Sequence, residues 1–190
     1  MARPVRFTED MILDGAAQAV AKHGHATTIS HIAAAVGAPT GSIYHRFPSR
    51  EYLLIRLWIR AIKRFHVGLL AADNVADAVR HIPQYCREHP LEASAMTLYR
   101  QSTLAHTAPA DLRDEVLHIN DAINDQTRQF TREIYGTDTP ELLERMLLAT
   151  RLCPYLLVRP YIGRELPDWL DSAIVAAALA IVQDGRTPPE

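Results

Sequence analysis

Apolar side chains recur every three or four residues along almost the whole chain, and this spacing constrains the fold more than any other feature. It places the apolar side chains on one face of an α-helix, whereas a half-buried strand needs strict alternation. The sequence lacks that alternation and is rich in Ala, Leu, Ile, Glu and Arg. It therefore predicts an all-α protein, and its 48% apolar residues are ample for a packed core.

Capping residues and helix breakers divide this pattern into separate helices. Thr8, followed by two acidic residues, is a favourable helix start, and Gly24 lies where that helix should end. Pro83, Pro154 and Pro160 fall within or beside later helices and predict kinks there. The predicted helices cover residues 9–23, 29–36, 40–47, 49–72, 74–88, 91–106, 110–135, 140–160 and 167–184.

Residues 27–54 combine two short amphipathic helices, a tight turn and the start of a long helix. Thr28 can cap the first short helix, Gly37 breaks it, and Pro39 begins the second. This is the order of a helix-turn-helix motif, whose second helix enters the major groove of DNA. An ordinary helical hairpin with a solvated polar face is the alternative interpretation.

The second short helix, residues 40–47, directs only Ile43 and Phe47 towards a core. Its other face carries Thr40, Gly41, Ser42, Tyr44, His45 and Arg46. Such side chains suit contacts with base edges and phosphate oxygens. Gly41 costs about 1 kcal/mol of helix stability relative to Ala, and a bare backbone there is useful if another surface must come close.

Charge is distributed unevenly, although the net charge of the chain is only −2. Residues 1–66 contain nine basic and four acidic side chains, a net charge of +5, so the remainder carries −7. A cationic end on an anionic body fits a module that approaches phosphate. Chance asymmetry of the surface is the alternative.

Residues 8–55 closely resemble the TetR family of transcriptional regulators. The matching positions are Thr27, Thr28, Ile29, Ile32, Ala33, Gly37, Gly41, Ile43, Tyr44, Phe47, Arg50 and Leu53. Two departures are Pro39, where many members have a capping Ser, and His31, where an acidic residue or Arg is common. They concern the fine positioning of the motif. The resemblance implies a helix-turn-helix domain over residues 1–52, and a ligand-binding and dimerisation domain over residues 53–190. The helix at about 49–72 bridges the two.

The resemblance also implies roles for the matching residues of the second short helix. Thr40 and Ser42 would read base edges, and Gly41 would permit the close approach. Tyr44 and His45 would contact the sugar-phosphate backbone. The alternatives are a packed aromatic for Tyr44 and a solvated histidine for His45.

Further residues of the motif are expected to contact phosphate. Thr28 and Ser30 begin the first short helix and would bind a phosphate through hydroxyl and backbone N–H groups. Arg50 would clamp another phosphate, and Arg46 would reach either phosphate or base. The full set of expected DNA-contacting residues is Thr28, Ser30, Pro39, Thr40, Gly41, Ser42, Tyr44, His45, Arg46 and Arg50.

The resemblance implies that the carboxyl-terminal region binds a small-molecule effector and forms a homodimer. The dimer would use the helices at 140–160 and 167–184. The alternative is that the apolar residues of these helices are buried within their own subunit. The protein would then be a repressor that an effector releases from a palindromic double-stranded DNA operator. Candidate effector-binding residues are Tyr85, Met96, Tyr99, Arg100, Thr103, Asn120 and Asn124. Plain core packing is the alternative for the apolar members of this set.

The sequence lacks other chemistry-bearing motifs. Cys86 and Cys153 have no metal-binding spacing, and the nine histidines form no H-E-x-x-H or comparable ligand set. We therefore expect no metal, no cofactor and no catalytic activity, with a small helical enzyme or a helical protein-interaction module as alternatives. No signal peptide is apparent, and the longest apolar run, residues 173–182, is too short to span a bilayer. These features predict a cytoplasmic protein without membrane association.

Overall fold

The computed structural model describes residues 7–186, which form helices joined by turns and contain no β-strand. The prediction of an all-α protein is therefore confirmed. Within the described range, no helix is both long enough and apolar enough to cross a bilayer. The α-helices are α1 (Glu9–His23), α2 (Ile29–Val36), α3 (Thr40–Tyr44), α4 (Arg50–Leu70), α5 (Val75–Glu88), α6 (Pro90–Met96), α7 (Gln101–Thr107), α8 (Ala110–His118), α9 (Asp121–Tyr135), α10 (Pro140–Leu147), α11 (Cys153–Val158) and α12 (Trp169–Asp184).

Local caps and glycines set the ends of the first two helices, as predicted. Thr8 Oγ1 accepts a hydrogen bond from the backbone N–H of Met11 at 3.2 Å, which satisfies an amide that the first helical turn leaves free. α1 ends at Gly24, and α2 ends at Gly37. The φ of Gly37 is 68°, in the left-handed region that glycine adopts without strain.

The predicted extent of the second short helix is wrong, because α3 ends at Tyr44 and not at residue 47. Residues 45–47 form a tighter turn, in which the N–H of Arg46 donates to the carbonyl of Ile43 at 3.0 Å. Pro48 follows this turn and disfavours a helical conformation at the preceding residue.

The helices predicted at 91–106 and 110–135 are also wrong, since each is two helices. The second break has a visible cause: Gln101 Nε2 donates to the carbonyls of Val116 at 3.0 Å and Leu117 at 2.9 Å. Continuing α8 would require those carbonyls to accept from residues 120 and 121. At the first break, the N–H of Thr97 donates to Ser94 three residues back, which tightens the end of α6.

The chain divides into two compact units, and the first contains the residues up to Ile62 together with Pro90–Leu117. α1 packs against α2 and α6 in this unit. Gly15 permits the close approach of α1 and α2, since a Cβ there would lie 2.2 Å from Cγ2 of Val36. The core of the unit includes Ile12, Ile32, Ile43, Phe47, Leu53 and Leu57.

The second unit contains Lys63–His89 and the residues from His118 onward. In this unit, α12 packs against α5, α10 and α11. The core of the unit includes Val79, Ile82, Ile123, Met146 and Ile174. The predicted boundary between residues 52 and 53 does not coincide with these units. α4 runs through that position without a break, and α6 packs on α1.

A π-helical turn, Leu148–Leu152, joins α10 to α11. The N–H of Cys153 donates to the carbonyl of Leu148, five residues earlier. Pro154 explains the wider turn, because it has no N–H to donate to residue 150 in an α-helical pattern. The irregularity predicted at Pro154 is thus found in the turn just before it, whereas Pro83 lies inside α5 without ending it.

Candidate nucleic-acid interface

The amino-terminal end of α2 is fixed by a reciprocal cap between Thr28 and His31. Thr28 Oγ1 accepts from the N–H of His31, and His31 Nδ1 accepts from the N–H of Thr28, each at 3.2 Å. Capping boxes ordinarily use Glu or Gln at this third position. The departure from the family pattern at His31 is therefore compatible with a formed cap, because a neutral imidazole supplies the acceptor.

His31 also stacks on His23 of α1, with ring centroids 3.9 Å apart and an interplanar angle of 20°. Loss of hydration lowers the pKa of His23, and the neighbouring His31 and Lys22 lower it further. The stack joins the end of α1 to the first turn of α2. It thereby supports the segment on which Thr28 and Ser30 are exposed.

α3 presents a polar outer surface, as its pattern predicted. Ile43 is fully buried and Phe47 is 1% exposed, whereas Tyr44 is 53% exposed and does not pack in the core. The other exposed residues of this surface are Pro39, Thr40, Gly41 and His45, with Ser42 and Arg46 partly exposed. We call residues 39–42 and 44–46, together with Thr28 and Ser30 of α2, the α2–α3 surface.

Gly41 has no role in internal packing. A Cβ built at this position would meet no atom within 4 Å, so the protein fold itself would accept a larger residue. Glycine inside a helix is unfavourable by about 1 kcal/mol relative to Ala. Its presence on the α2–α3 surface therefore suits the approach of a second molecule.

Arg50, at the start of α4, is engaged within the protein. Its Nε donates to the carbonyl of Thr27, and its Nη2 donates to the carbonyl of His25. Nη1 lies 3.6 Å from a carboxylate oxygen of Glu51. These bonds tie the start of α4 to the segment that precedes α2, so Arg50 positions the α2–α3 surface. The expected phosphate contact of Arg50 stays a prediction.

Sequence reasoning did not find the polar contacts that support α4 in the first unit. Arg60 lies 2.9 Å from Asp14 of α1, with only 12% of its side chain exposed. Arg56 Nη1 donates to Glu115 at 3.2 Å, and Tyr52 Oη donates to Asp111 at 2.8 Å. These partners are 46 or 59 positions apart in the sequence, so no local pattern could have indicated them.

The seven expected effector-binding residues divide between the two units. Met96, Tyr99, Arg100 and Thr103 belong to the first unit, and Tyr85, Asn120 and Asn124 belong to the second. Tyr99 Oη donates to Glu51 Oε1 at 2.7 Å, and burial together with this carboxylate raises the pKa of Tyr99. Met96 is half-buried, whereas Arg100 and Thr103 are exposed.

In the second unit, Tyr85 is buried, Asn120 is half-buried and Asn124 is exposed. The ring of Tyr85 contacts those of Phe65, His81 and His89. A shallow groove of about 470 Å³ lies elsewhere in this unit and contains none of the seven residues. It is lined by Leu70, Ala72, Asp73, Ala122, Asp125, Gln126, Gln129 and Phe130.

Neither a metal-binding cluster nor a reactive thiol at Cys86 is found among the described residues. Between residues 7 and 186, no group of three or more His, Cys, Asp or Glu side chains is arranged to hold a metal ion. Cys86 is buried, and burial raises the pKa of its thiol to about 11. This thiol is therefore protonated and unreactive at neutral pH.

A capped α2, a short α3 with a polar outer surface and a long α4 together define a helix-turn-helix protein. Residues 12–57 match the family model described as bacterial regulatory proteins, tetR family. The resemblance to the TetR family is thus confirmed over those residues. No curated protein is significantly similar in sequence.

Solved structures extend the likeness to the whole fold. A transcriptional regulator from Rhodococcus sp. Rha1 has a TM-score of 0.68 at 17% identity, with 96% of this chain and 100% of that chain covered. A putative tetR family regulator from Shewanella sp. PV-4 has a TM-score of 0.61 at 23% identity, covering 95% and 98%. The TetR family regulator PfmR from Thermus thermophilus has a TM-score of 0.64 at 17% identity, covering 90% and 97%. The chain thus shares its fold with these three structures over nearly its whole length.

Proposed function

We propose that this protein is a cytoplasmic homodimeric repressor, which binds a palindromic operator and leaves it when a small-molecule effector binds the carboxyl-terminal region. The observation that carries the proposal is the α2–α3 surface. It exposes Tyr44 and a bare Gly41 backbone that the packing of the protein does not require. A large exposed aromatic beside an unneeded glycine is best explained by a partner that covers both.

DNA is the partner that fits this surface. Thr40 and Ser42 present short hydroxyl side chains at the start of α3, which suits contact with base edges in the major groove. Thr28 and Ser30 stand at the amino-terminal end of α2, where free N–H groups favour an anion. The net charge of +5 over residues 1–66 favours the approach to phosphate.

The dimer is supported by apolar side chains that one subunit leaves exposed in the second unit. Leu156 is 58% exposed, Leu152 48% and Trp169 61%. Exposed clusters of large apolar residues commonly mark protein interfaces. Further exposed members in the two predicted dimer-forming segments are Leu148, Tyr155, Leu157 and Leu179. A two-fold dimer would present two copies of α3 to the two halves of a palindrome.

Effector release requires that the effector bind the two states of the dimer with unequal affinity. α4 is continuous from Arg50, next to the α2–α3 surface, to Leu70 in the second unit. We propose that effector binding tilts this helix. The two copies of α3 in the dimer would then no longer fit both half-sites at once.

A gel-shift titration tests the proposal directly. The labelled DNA is the region upstream of the protein's own coding sequence, and a random fragment of equal length is the competitor. We expect a complex that the specific fragment displaces at far lower concentration than the random one. Thr40→Ala should weaken only the specific complex, whereas Thr137→Ala, in an exposed turn of the second unit, should leave it unchanged. Equal displacement by both fragments would refute sequence-specific binding.

A further inference from the structure

Arg151 is a partly buried cation without a counter-charge. It lies in the π-helical turn between α10 and α11, and its Nε is both inaccessible to solvent and without a hydrogen-bond acceptor. Its Nη2 donates to Asn124 Oδ1 at 2.9 Å, a neutral acceptor. Burial lowers the pKa of Arg151, which is opposite to the effect of a neighbouring carboxylate. Across residues 7–186, Arg151 forms no ion pair.

Other arginines of the second unit show what is missing at Arg151. Arg87 pairs with Asp171 at 2.9 Å, Arg132 pairs with Asp138 at 2.7 Å, and Arg145 pairs with Asp184. All three pairs keep part of both side chains in contact with solvent. A charge that is withdrawn from water without a partner destabilises a protein, and an apolar residue of similar size would ordinarily be better tolerated. The unpaired guanidinium therefore requires an explanation.

The groups around Arg151 form a polar cluster that draws on three elements. Asn124 of α9 is exposed, so the cluster reaches solvent on its side. His66 of α4 bonds the backbone of Ile119, and its pKa is lowered to about 4 by burial and by the charge of Arg151. His66 is thus neutral near pH 7. We call Arg151, Asn124 and His66 the Arg151 cluster, and its net charge is one positive charge.

The backbone at this site is itself irregular. The π-helical turn widens the helix by one residue at Leu148–Leu152, and Arg151 lies on it. Single π-helical turns inside longer helices occur frequently at functional sites. Pro154 accounts for the width of this turn, and the unpaired cation of Arg151 lies on it.

We propose that the Arg151 cluster binds the carboxylate of a small organic acid, and that this acid is the effector. A carboxylate can accept two N–H bonds from one guanidinium, and it supplies the single negative charge that Arg151 lacks. A phosphate ester would bring up to two charges and would leave one of them uncompensated. The effector role rests on the proposed function, whereas binding of the acid does not.

Thermal unfolding without DNA tests the binding. The probes are matched acid and amide pairs, sodium octanoate with octanamide and sodium benzoate with benzamide, together with inorganic phosphate. We expect an acid to raise Tm near pH 7 while its amide does not, because only the acid carries the counter-charge. Equal shifts with acid and amide, or a shift with phosphate alone, would overturn the assignment of a carboxylate.

Two variants change the charge of the cluster in different ways. Arg151→Met should raise the Tm of the ligand-free protein by about 2–4 °C and should abolish the response to the acid. Asn124→Asp places a carboxylate beside Nη2 of Arg151, and it should likewise raise Tm and abolish the response. Asn124 is exposed, so this second variant does not disturb a packed core.

The control is Arg164→Gln, which removes the same charge from an exposed turn of the second unit and should keep the response to the acid. If Arg151 only stabilised the fold, Arg151→Met would lower Tm and the response to the acid would survive. Light scattering addresses the other source of a carboxylate, a second copy of the chain. Dissociation of the dimer in Arg151→Met would show that a carboxylate of the second copy supplies the counter-charge, and it would overturn the proposal.

Gel shifts separate this inference from the proposed function. Arg164→Gln should bind the operator with the affinity of the unmodified protein and should be released by the acid, whereas Asn124→Asp should not be released by the acid. Operator binding without any acid-specific Tm shift would refute the inference and leave the regulator intact. An acid-specific shift in a protein that binds no DNA would refute the proposed function alone.

Discussion

Gly41 is the residue at which folding and the proposed DNA binding make opposite demands. Gly41→Ala should stabilise the free protein by up to about 1 kcal/mol, because Ala favours the helix and the new Cβ meets no atom within 4 Å. The same methyl group should weaken operator binding if DNA approaches this backbone. Urea denaturation and gel shifts measure the two effects separately.

Gly15→Ala is the matched control for Gly41→Ala, since its Cβ would clash with Val36 at 2.2 Å. It should destabilise the protein. Tight operator binding by Gly41→Ala would show that DNA does not approach Gly41 closely.

Arg50 combines an observed positioning contact with an expected phosphate contact. Arg50→Ala removes donors from the carbonyls of His25 and Thr27, so we expect a stability loss of about 1–3 kcal/mol. Binding should weaken for specific and random DNA alike, and the slope of log K against log salt should fall by about one unit. Titrations at several salt concentrations measure this slope. A slope that does not change would leave Arg50 as a positioning residue only.

Among the elements, those with local determinants were predictable from sequence. α1 and α2 have the predicted ends because Thr8, Thr28 and the terminal glycines act on backbone groups within their own turn. The break between α8 and α9 was not predictable, because the amide of Gln101 competes for carbonyls 15 and 16 residues away. The polar outer surface of α3 could be predicted from the spacing of its apolar residues. The contacts of Arg50 and of Arg151 could not, because they depend on tertiary structure.

The free energy of unfolding should depend on pH through His66, whose bond to the backbone of Ile119 joins α4 to the segment before α9. An unfolded histidine has a pKa of about 6.5, whereas burial and Arg151 lower that of His66 to about 4. Between these values the unfolded chain binds a proton that the folded protein does not. Stability therefore falls as pH decreases through this window, by at most about 3 kcal/mol.

Urea denaturation of His66→Gln at about pH 7 and about pH 5 isolates this contribution, because other histidines titrate equally in both proteins. The variant should lose less stability on acidification than the unmodified protein. His106→Gln, which changes an exposed histidine, should behave like the unmodified protein. An identical pH dependence in all three would exclude His66 as its source.

At the scale of the whole molecule, the proposed dimer depends on apolar residues of the second unit. Leu156→Glu places a charge on a side chain that is 58% exposed in the single chain and should dissociate the dimer, because an apolar interface cannot pair the charge. Operator affinity should also fall, because the two half-sites would no longer be bound by one dimer.

Light scattering measures the mass, and Leu117→Glu is the control. Leu117 is 45% exposed but belongs to the first unit, so that variant should stay dimeric. A dimer that survives Leu156→Glu would place the interface elsewhere.

The discontinuous first unit has a consequence for synthesis of the protein on the ribosome. α1 packs on α6, which belongs to the first unit although α5 and the end of α4 come between them in the chain. A nascent chain that has emerged only as far as Ile62 holds the complete helix-turn-helix motif but not α6, which packs on α1. The motif should therefore become protease-resistant only after Leu117 has left the exit tunnel, and a fragment cut at Ile62 should remain partly open.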